Sequence, residues 1–188
     1  MPGVQQLLPI ASRKFRDVVA TLQDDDWNQP TLCDVPVREL VEHVLAGNEF
    51  AVRLLAGAGA DEARDGIDDI RIGLDPVAQV VRSCDEQMSA FFRADQARLL
   101  HHPSGEIDFG TFAWIRVGDV AIHAWDIATA TGGDRTLDPV LVKGLWELVE
   151  PNRARMQAMG VYGVSSGAVS RDADLQDRLL GAYGRTSP

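Results

Sequence analysis

The chain has 188 residues, of which 45% are hydrophobic and 6% aromatic, and its formal net charge at pH 7 is −10. This length and composition are typical of one globular domain, which we expect to span residues 1–188. The negative charge argues against a nucleic-acid partner or an anionic membrane surface, and the absence of a membrane-length apolar stretch, a signal-peptide pattern or zinc-finger cysteine spacing predicts a reduced, cytoplasmic protein.

The first predicted helix covers about residues 4–23, where apolar side chains recur at helical spacing. The second begins near Pro36, since proline is favoured in a first helical turn, and runs to about Ala56. His43 lies at the flank of its apolar stripe. On position alone, we interpret this histidine as a core or boundary residue rather than as a metal ligand.

Residues 58–73 are rich in Gly, Ala and Asp without a clear period, which predicts an exposed loop. Asp75 followed by Pro76 then predicts the start of a third helix, which the apolar spacing extends to about Leu100. We interpret His101 and His102 as the solvated end of this helix, because adjacent residues point apart on a helix. Strand signals are weak throughout the sequence.

The fourth predicted helix, at about residues 111–131, carries three ionisable residues among mostly apolar ones. Asp119, His123 and Asp126 stand at positions i, i+4 and i+7, so they share one face of the helix. Burying two carboxylates and an imidazole is costly unless they are paired or hold a metal. The spacing leaves three interpretations open, namely an internal salt bridge, a polar stripe that faces solvent, and a metal site.

A fifth helix is predicted from Asp138-Pro139 to about Met159, with a kink at Pro151. A Gly/Ser-rich piece follows from Gly160, and a short amphipathic helix is predicted around residues 173–182. The sum is an all-α protein, most simply a four-helix bundle with additions.

Several stretches of the sequence resemble one known family. The chain reads Pro-Thr-Leu-Cys at 30–33, Val-Arg-Glu-Leu-Val-Glu-His-Val at 37–44 and His-Ala-Trp-Asp-Ile-Ala-Thr-Ala-Thr-Gly at 123–132, and its end at 175–185 fits the same pattern. In these motifs it resembles the DinB-like metal-binding superfamily, and more closely the branch related to the N-terminal domain of mycothiol-dependent maleylpyruvate isomerase. The resemblance covers nearly the whole chain and implies a DinB-like four-helix bundle with an extra C-terminal helix and tail.

The resemblance implies three metal ligands, His43 from the second helix and Asp119 with His123 from the fourth. The isomerase has Glu where this chain has Asp119, so the metal distance or the helix position must adjust to a shorter side chain. The branch usually has Trp where this chain has Val35, and the segment that starts at Cys33 is one residue short. Two imidazoles and one carboxylate favour zinc, with nickel, iron or manganese also allowed.

Three further residues have open roles. Asp126 is a candidate catalytic residue that supports a ligand, contacts substrate or acts as a base, and its alternative is a plain hydrogen bond to another helix. Arg116 could orient Asp119 or bind an anionic substrate, but we interpret it as a surface arginine. Cys33 has no basic partner nearby in sequence, and we interpret it as a loop-packing residue.

The resemblance implies a metal that activates the small thiol mycothiol for attack on an electrophilic substrate, in a transferase or isomerase reaction. The alternatives are a metal-binding module without catalysis and a metal-dependent hydrolase. We do not expect the separate C-terminal domain of the isomerase, and therefore do not expect maleylpyruvate itself as substrate. The expected partners are a small thiol and its electrophilic substrate, and we expect neither nucleic acid nor a membrane. The sequence leaves open whether the protein forms a homodimer.

Overall fold

The structure, a computed structural model, describes residues 3–158 and 172–186, and most of these residues are helical. The short strands β1 (Leu100–His102) and β2 (Gly105–Ile107) form an antiparallel pair, and short 3-10 helices cover Asp24–Asn28 and Ile67–Asp69. The helices of the described part are α1 (Val4–Ala20), α2 (Val37–Ala56), α3 (Ala60–Arg64), α4 (Pro76–Arg93), α5 (Phe109–Ala130), α6 (Pro139–Ala158) and α7 (Leu175–Ala182).

Four long helices form a bundle within the first of two compact units, which span Gly3–Arg135 and Thr136–Pro188. In this unit α1 packs against α4 and α5, and α2 also packs against α4 and α5. Each helix therefore has two neighbours, as in a four-helix bundle. The predicted all-α, DinB-like bundle is confirmed, whereas the assignment of residues 1–188 to one domain stays a prediction.

The ends of the bundle helices follow local signals in the sequence. The side chain of Asp75 accepts a hydrogen bond of 2.9 Å from the Ala78 N–H, and Pro76 occupies the first turn of α4. Asp108 caps α5 in the same way. Gly57 follows the last residue of α2 and caps it, with a φ of 110° in the left-handed region that favours glycine. Of these caps, Asp75 with Pro76 is the signal from which the start of a helix was predicted.

Residues 58–73 are more structured than the predicted exposed loop. They contain α3 and a 3-10 turn, and Ala63 of α3 is fully buried. The carboxylate of Glu42 on α2 accepts a hydrogen bond of 3.0 Å from the Ile72 N–H, which attaches this segment to the bundle. A five-residue helix is too short to produce an apolar period, so the sequence pattern could not reveal it.

The prediction that the third helix extends to Leu100 and ends in solvated histidines is wrong. The helix α4 ends at Arg93, and both His101 and His102 lie on the strand β1. Leu100 pairs with Ile107, and the hairpin closes through a two-residue loop. Strands of three residues show no alternation, because the pattern needs four or more positions to appear.

His102 packs its ring against the bundle. Its ring centroid lies 5.9 Å from that of Phe50 and 6.1 Å from that of Phe112. Its Nδ1 accepts a hydrogen bond of 3.2 Å from the Ser104 N–H, which requires this nitrogen to be unprotonated. Burial, and next the positive charge of Arg64, lower the pKa of His102 below 6.5. The folded hairpin therefore favours a neutral imidazole.

In the second unit, α6 and α7 pack together. The guanidinium of Arg178 on α7 lies 4.6 Å from the ring centroid of Trp146 on α6, a cation–π contact. Both helices match their predicted positions closely, and Pro151 lies within α6, where the expected kink stays a prediction. Most of the Gly/Ser-rich piece lies outside the described residues.

Among the helices that the structure describes, none combines the length and hydrophobicity of a membrane span.

We expect the contribution of His102 to stability to depend on pH. The unfolded chain has the ordinary histidine pKa near 6.5 and takes up the proton first as the pH falls, because the folded pKa is lower. The contribution is therefore complete above about pH 6.5 and is lost as the pH falls toward the folded pKa. Urea unfolding with a chelator, of wild type and His102→Gln, should show their difference in unfolding free energy shrinking from about pH 7.5 to 5.5.

His101→Gln is the matched control, since the His101 side chain is 54% exposed on the other face of the same strand. A difference between wild type and His102→Gln that stays constant over this pH range would contradict the prediction.

Candidate metal centre

The helix α5 carries the polar stripe that the sequence predicts. Fourteen of its residues are buried, most of them apolar, so the helix runs through the interior of its unit. Asp119, His123 and Asp126 lie on successive turns of one face, with side chains 18%, 14% and 0% exposed. Because these groups are largely withdrawn from water, each needs a specific partner.

Two donor atoms of the predicted ligand set meet a third from a different helix. The Nε2 of His123 lies 3.4 Å from Oδ1 of Asp119, and the Nε2 of His43 on α2 lies 3.5 Å from the same oxygen. The two imidazole rings stand edge to face with centroids 5.1 Å apart. The His43 side chain is 58% exposed, so the cluster is open to solvent on the side of α2.

These separations are those of ion pairs when a histidine is protonated, and they also fit donors around one ion. Good N–H···O hydrogen bonds measure about 2.7–3.2 Å. Two donors that each lie about 2.1 Å from an ion at a tetrahedral angle stand about 3.4 Å apart. The donor atoms of His43, Asp119 and His123 all lie within 4.8 Å of one another. The shorter Asp119 side chain therefore reaches the two imidazoles despite the missing methylene.

Arg116 is buried, so its interpretation as a surface arginine is wrong. Only 5% of the residue is exposed, one turn before Asp119 on α5. Its Nη1 donates to Oδ2 of Asp119 at 2.9 Å, its Nη2 to Oδ1 of Asn48 at 2.8 Å, and its Nε to Oε1 of Gln87 at 2.9 Å. The guanidinium thus links α5 to α2 and α4. Neither Asn48 nor Gln87 was a candidate from the sequence.

Asp126 lies behind His123, on the side of the ring away from Asp119. Its Oδ2 is 3.0 Å from Nδ1 of His123. The same oxygen accepts a hydrogen bond of 3.4 Å from the thiol of Cys33. When His123 is neutral, this contact keeps the proton on Nδ1 and leaves a lone pair on Nε2, the tautomer that a metal ligand needs. Of its predicted roles, the geometry favours the support of His123.

The loop before α2 brings Cys33 to this position. The Thr31 side chain donates to the Val35 carbonyl at 2.7 Å, and its hydroxyl oxygen accepts from the Cys33 N–H at 3.2 Å. Asp34 takes a φ of 59°, a left-handed conformation that aspartate tolerates. Residues Thr31 to Asp34 thus form a tight turn, closed by a hydrogen bond from the Asp34 N–H to the Thr31 carbonyl. Since Cys33 lies far from His123 and Asp126 in the chain, sequence spacing gave no signal that its thiol joins them.

The charges of the cluster are strongly coupled. Burial would raise the pKa of Asp119, but the positive charges of Arg116 and then His123 outweigh it, and that pKa lies well below its ordinary value. Burial would likewise lower the pKa of His123, but the neighbouring Asp119 carboxylate outweighs it and holds that pKa well above 6.5. Asp119 is therefore an anion at neutral pH, and the cluster attracts a proton or another cation to His123.

The family model described as the mycothiol maleylpyruvate isomerase N-terminal domain matches residues 8–128, which is more than half of the chain. Two Mycobacterium tuberculosis proteins named only as uncharacterized, from strains CDC 1551 / Oshkosh and ATCC 25618 / H37Rv, are each 34% identical to it over 133 residues. The alignments cover 70% of this chain and 69% of each relative. No solved structure matches the chain. The matched range of the family model includes the whole cluster.

We expect Asp119→Asn to lower the unfolding free energy of the metal-free protein by about 2–4 kcal/mol, because it leaves the buried Arg116 charge without its counter-ion. His43→Gln should change the same quantity by less than about 0.5 kcal/mol, since the His43 side chain is largely exposed. Urea unfolding with a chelator at neutral pH measures both values. Equal values for the two variants would contradict the prediction.

Proposed function

The chain belongs to the family of the mycothiol maleylpyruvate isomerase N-terminal domain, and we propose that it is a thiol-dependent transferase or isomerase that binds one divalent metal ion. The proposed ligands are His43, Asp119 and His123. The observation that carries the proposal is the separation of 3.4–3.5 Å between the two Nε2 atoms and Oδ1 of Asp119. Three protein ligands leave coordination positions for a small molecule, as catalytic metal sites do.

Zinc is the proposed metal, since two imidazoles and one carboxylate form a common catalytic zinc set. Nickel, iron(II) and manganese also accept this set, because nitrogen and oxygen donors discriminate weakly among divalent metals. The choice of zinc therefore rests on the donor chemistry alone.

The proposed second ligand is mycothiol or a thiol of the same kind. A bound divalent cation stabilises a thiolate and so supplies a nucleophile at neutral pH. The exposed side of the cluster at His43 gives such a thiol access, while Asp126 holds the His123 ring from the buried side. The thiol would add to an electrophilic carbon of the substrate. The cytoplasmic location and the homodimer stay predictions from the sequence.

Hydrolysis is the less favoured reaction. It needs a general base near the attacking water, and Asp126 is the base that the sequence offers. The side chain of Asp126 is fully buried, and its Oδ2 contacts the Nδ1 side of His123. From there it faces away from the exposed side of the cluster, which supports the orienting role over the base role.

We expect one Co²⁺ or Zn²⁺ to bind per chain, measured by metal analysis after dialysis. His43→Ala and His123→Ala should each lose the metal, because two ligands remain. Asp126→Asn should keep the 1:1 stoichiometry with affinity lower by about 10–100-fold, the usual effect of removing a group that orients a ligand. His101→Ala is the matched control on the hairpin and should bind like wild type.

A chain that binds no metal, or a His123→Ala variant that binds it fully, would contradict the proposed site.

Mycothiol or a simple thiol analogue should add an intense charge-transfer band to the spectrum of the cobalt-loaded chain, because sulfur would occupy an open position on the metal. The experiment is best repeated in Cys33→Ser, since Cys33 is a protein thiol close to His123. The band should depend on the added thiol in both proteins and be absent with the corresponding alcohol. If no thiol changes the spectrum, the non-catalytic binding module and the hydrolase become the better proposals.

A further inference from the structure

We propose that Arg116 is the positioning residue of the cluster and that it restricts Asp119 to a single metal-facing oxygen. Gly47 on α2 provides the space that Arg116 occupies. This inference rests on the proposed metal site and adds two residues to it, neither of which is a ligand.

The contacts of Arg116 fix its guanidinium in one orientation. Three of its nitrogens donate hydrogen bonds, to Asp119 on α5, to Asn48 on α2 and to Gln87 on α4. The side chain is only 7% exposed. An arginine that is held at three points by three helices has little freedom to follow a moving carboxylate, so the carboxylate must adapt to the arginine.

The two oxygens of Asp119 consequently have different roles. Oδ2 is engaged by Nη1 of Arg116 at 2.9 Å, whereas Oδ1 is the oxygen that lies 3.5 Å and 3.4 Å from the Nε2 atoms of His43 and His123. A metal in the cluster would meet Oδ1 alone, unless the Arg116 hydrogen bond broke. The charge-assisted bond to Arg116 also keeps the aspartate from rotating away from the histidines.

Gly47 leaves the space that the guanidinium of Arg116 occupies. A Cβ at position 47 would lie 2.3 Å from Nη1 of Arg116 and 2.9 Å from both Cζ and Nη2, which is closer than atoms can approach. Glycine in the middle of a helix disfavours the helix relative to alanine. The close approach of the guanidinium explains why α2 has a glycine there, and it offers a way to displace Arg116 without changing Arg116 or Asp119.

The test uses two substitutions in the full chain, Arg116→Lys and Gly47→Ala, with Co²⁺ as the probe. Lysine keeps the positive charge but lacks the planar fork, so it cannot hold all three partners at once. We expect each variant to bind Co²⁺ at least about tenfold more weakly than wild type and to show a changed d–d absorption spectrum, with the helical circular dichroism unchanged.

Gly59→Ala is the matched control for Gly47→Ala, because a Cβ at position 59 would have no atom within 4 Å. It should bind Co²⁺ like wild type.

The outcomes separate this inference from the proposed function. If wild type binds Co²⁺ and either variant binds it within about threefold of wild type with the same spectrum, the role of Arg116 is overturned and the metal site stands. Loss of helical structure in both variants would make Arg116 a folding residue and would also overturn the inference. If wild type itself binds no Co²⁺, the metal site and the inference fail together.

Discussion

The pairing of the Arg116 guanidinium with the Asp119 carboxylate is the interaction on which the cluster depends. Both groups lie on a helix whose other sides are mostly buried and apolar, where an unpaired charge would be costly. Each group balances the charge of the other. The remaining two nitrogens of the guanidinium donate hydrogen bonds to the side chains of Asn48 and Gln87. The negative charge that faces the two histidines is thus stabilised by the same residue that limits its freedom.

His123 connects this pair to the rest of the molecule, because its two nitrogens face different neighbours. Nε2 faces Oδ1 of Asp119, and the same oxygen lies near Nε2 of His43 on the exposed side of the cluster. Nδ1 faces Asp126, which also accepts the thiol hydrogen of Cys33 from the loop before α2. The buried side of the cluster therefore has hydrogen-bond partners in the protein, while its His43 side is open. The proposed thiol-binding reaction needs such an open side, which a closed structural metal site lacks.

Local signals predicted the long helices because those signals act over a few residues. Pro36 directly precedes α2 and Asp75 caps α4, so each of these starts is marked by residues within one turn of it. The same reasoning missed α3 and the hairpin of β1 and β2, whose elements are three to five residues long and carry no period. The hairpin contacts the bundle through His102 and Phe112, and the segment that follows α3 is attached to it by the hydrogen bond from Ile72 to Glu42.

The sequence by itself determined the stripe on α5, because helical geometry alone brings Asp119, His123 and Asp126 to one face. The choice of His43 as their partner came from the family resemblance, and only the packing of α2 against α5 brought its Nε2 to 3.5 Å from Asp119. The burial of Arg116 and its bonds to Asn48 and Gln87 were decided by tertiary structure, as was the contact between Cys33 and Asp126. These neighbours lie on different helices or loops, and their distances follow from how whole elements pack, which no local spacing encodes.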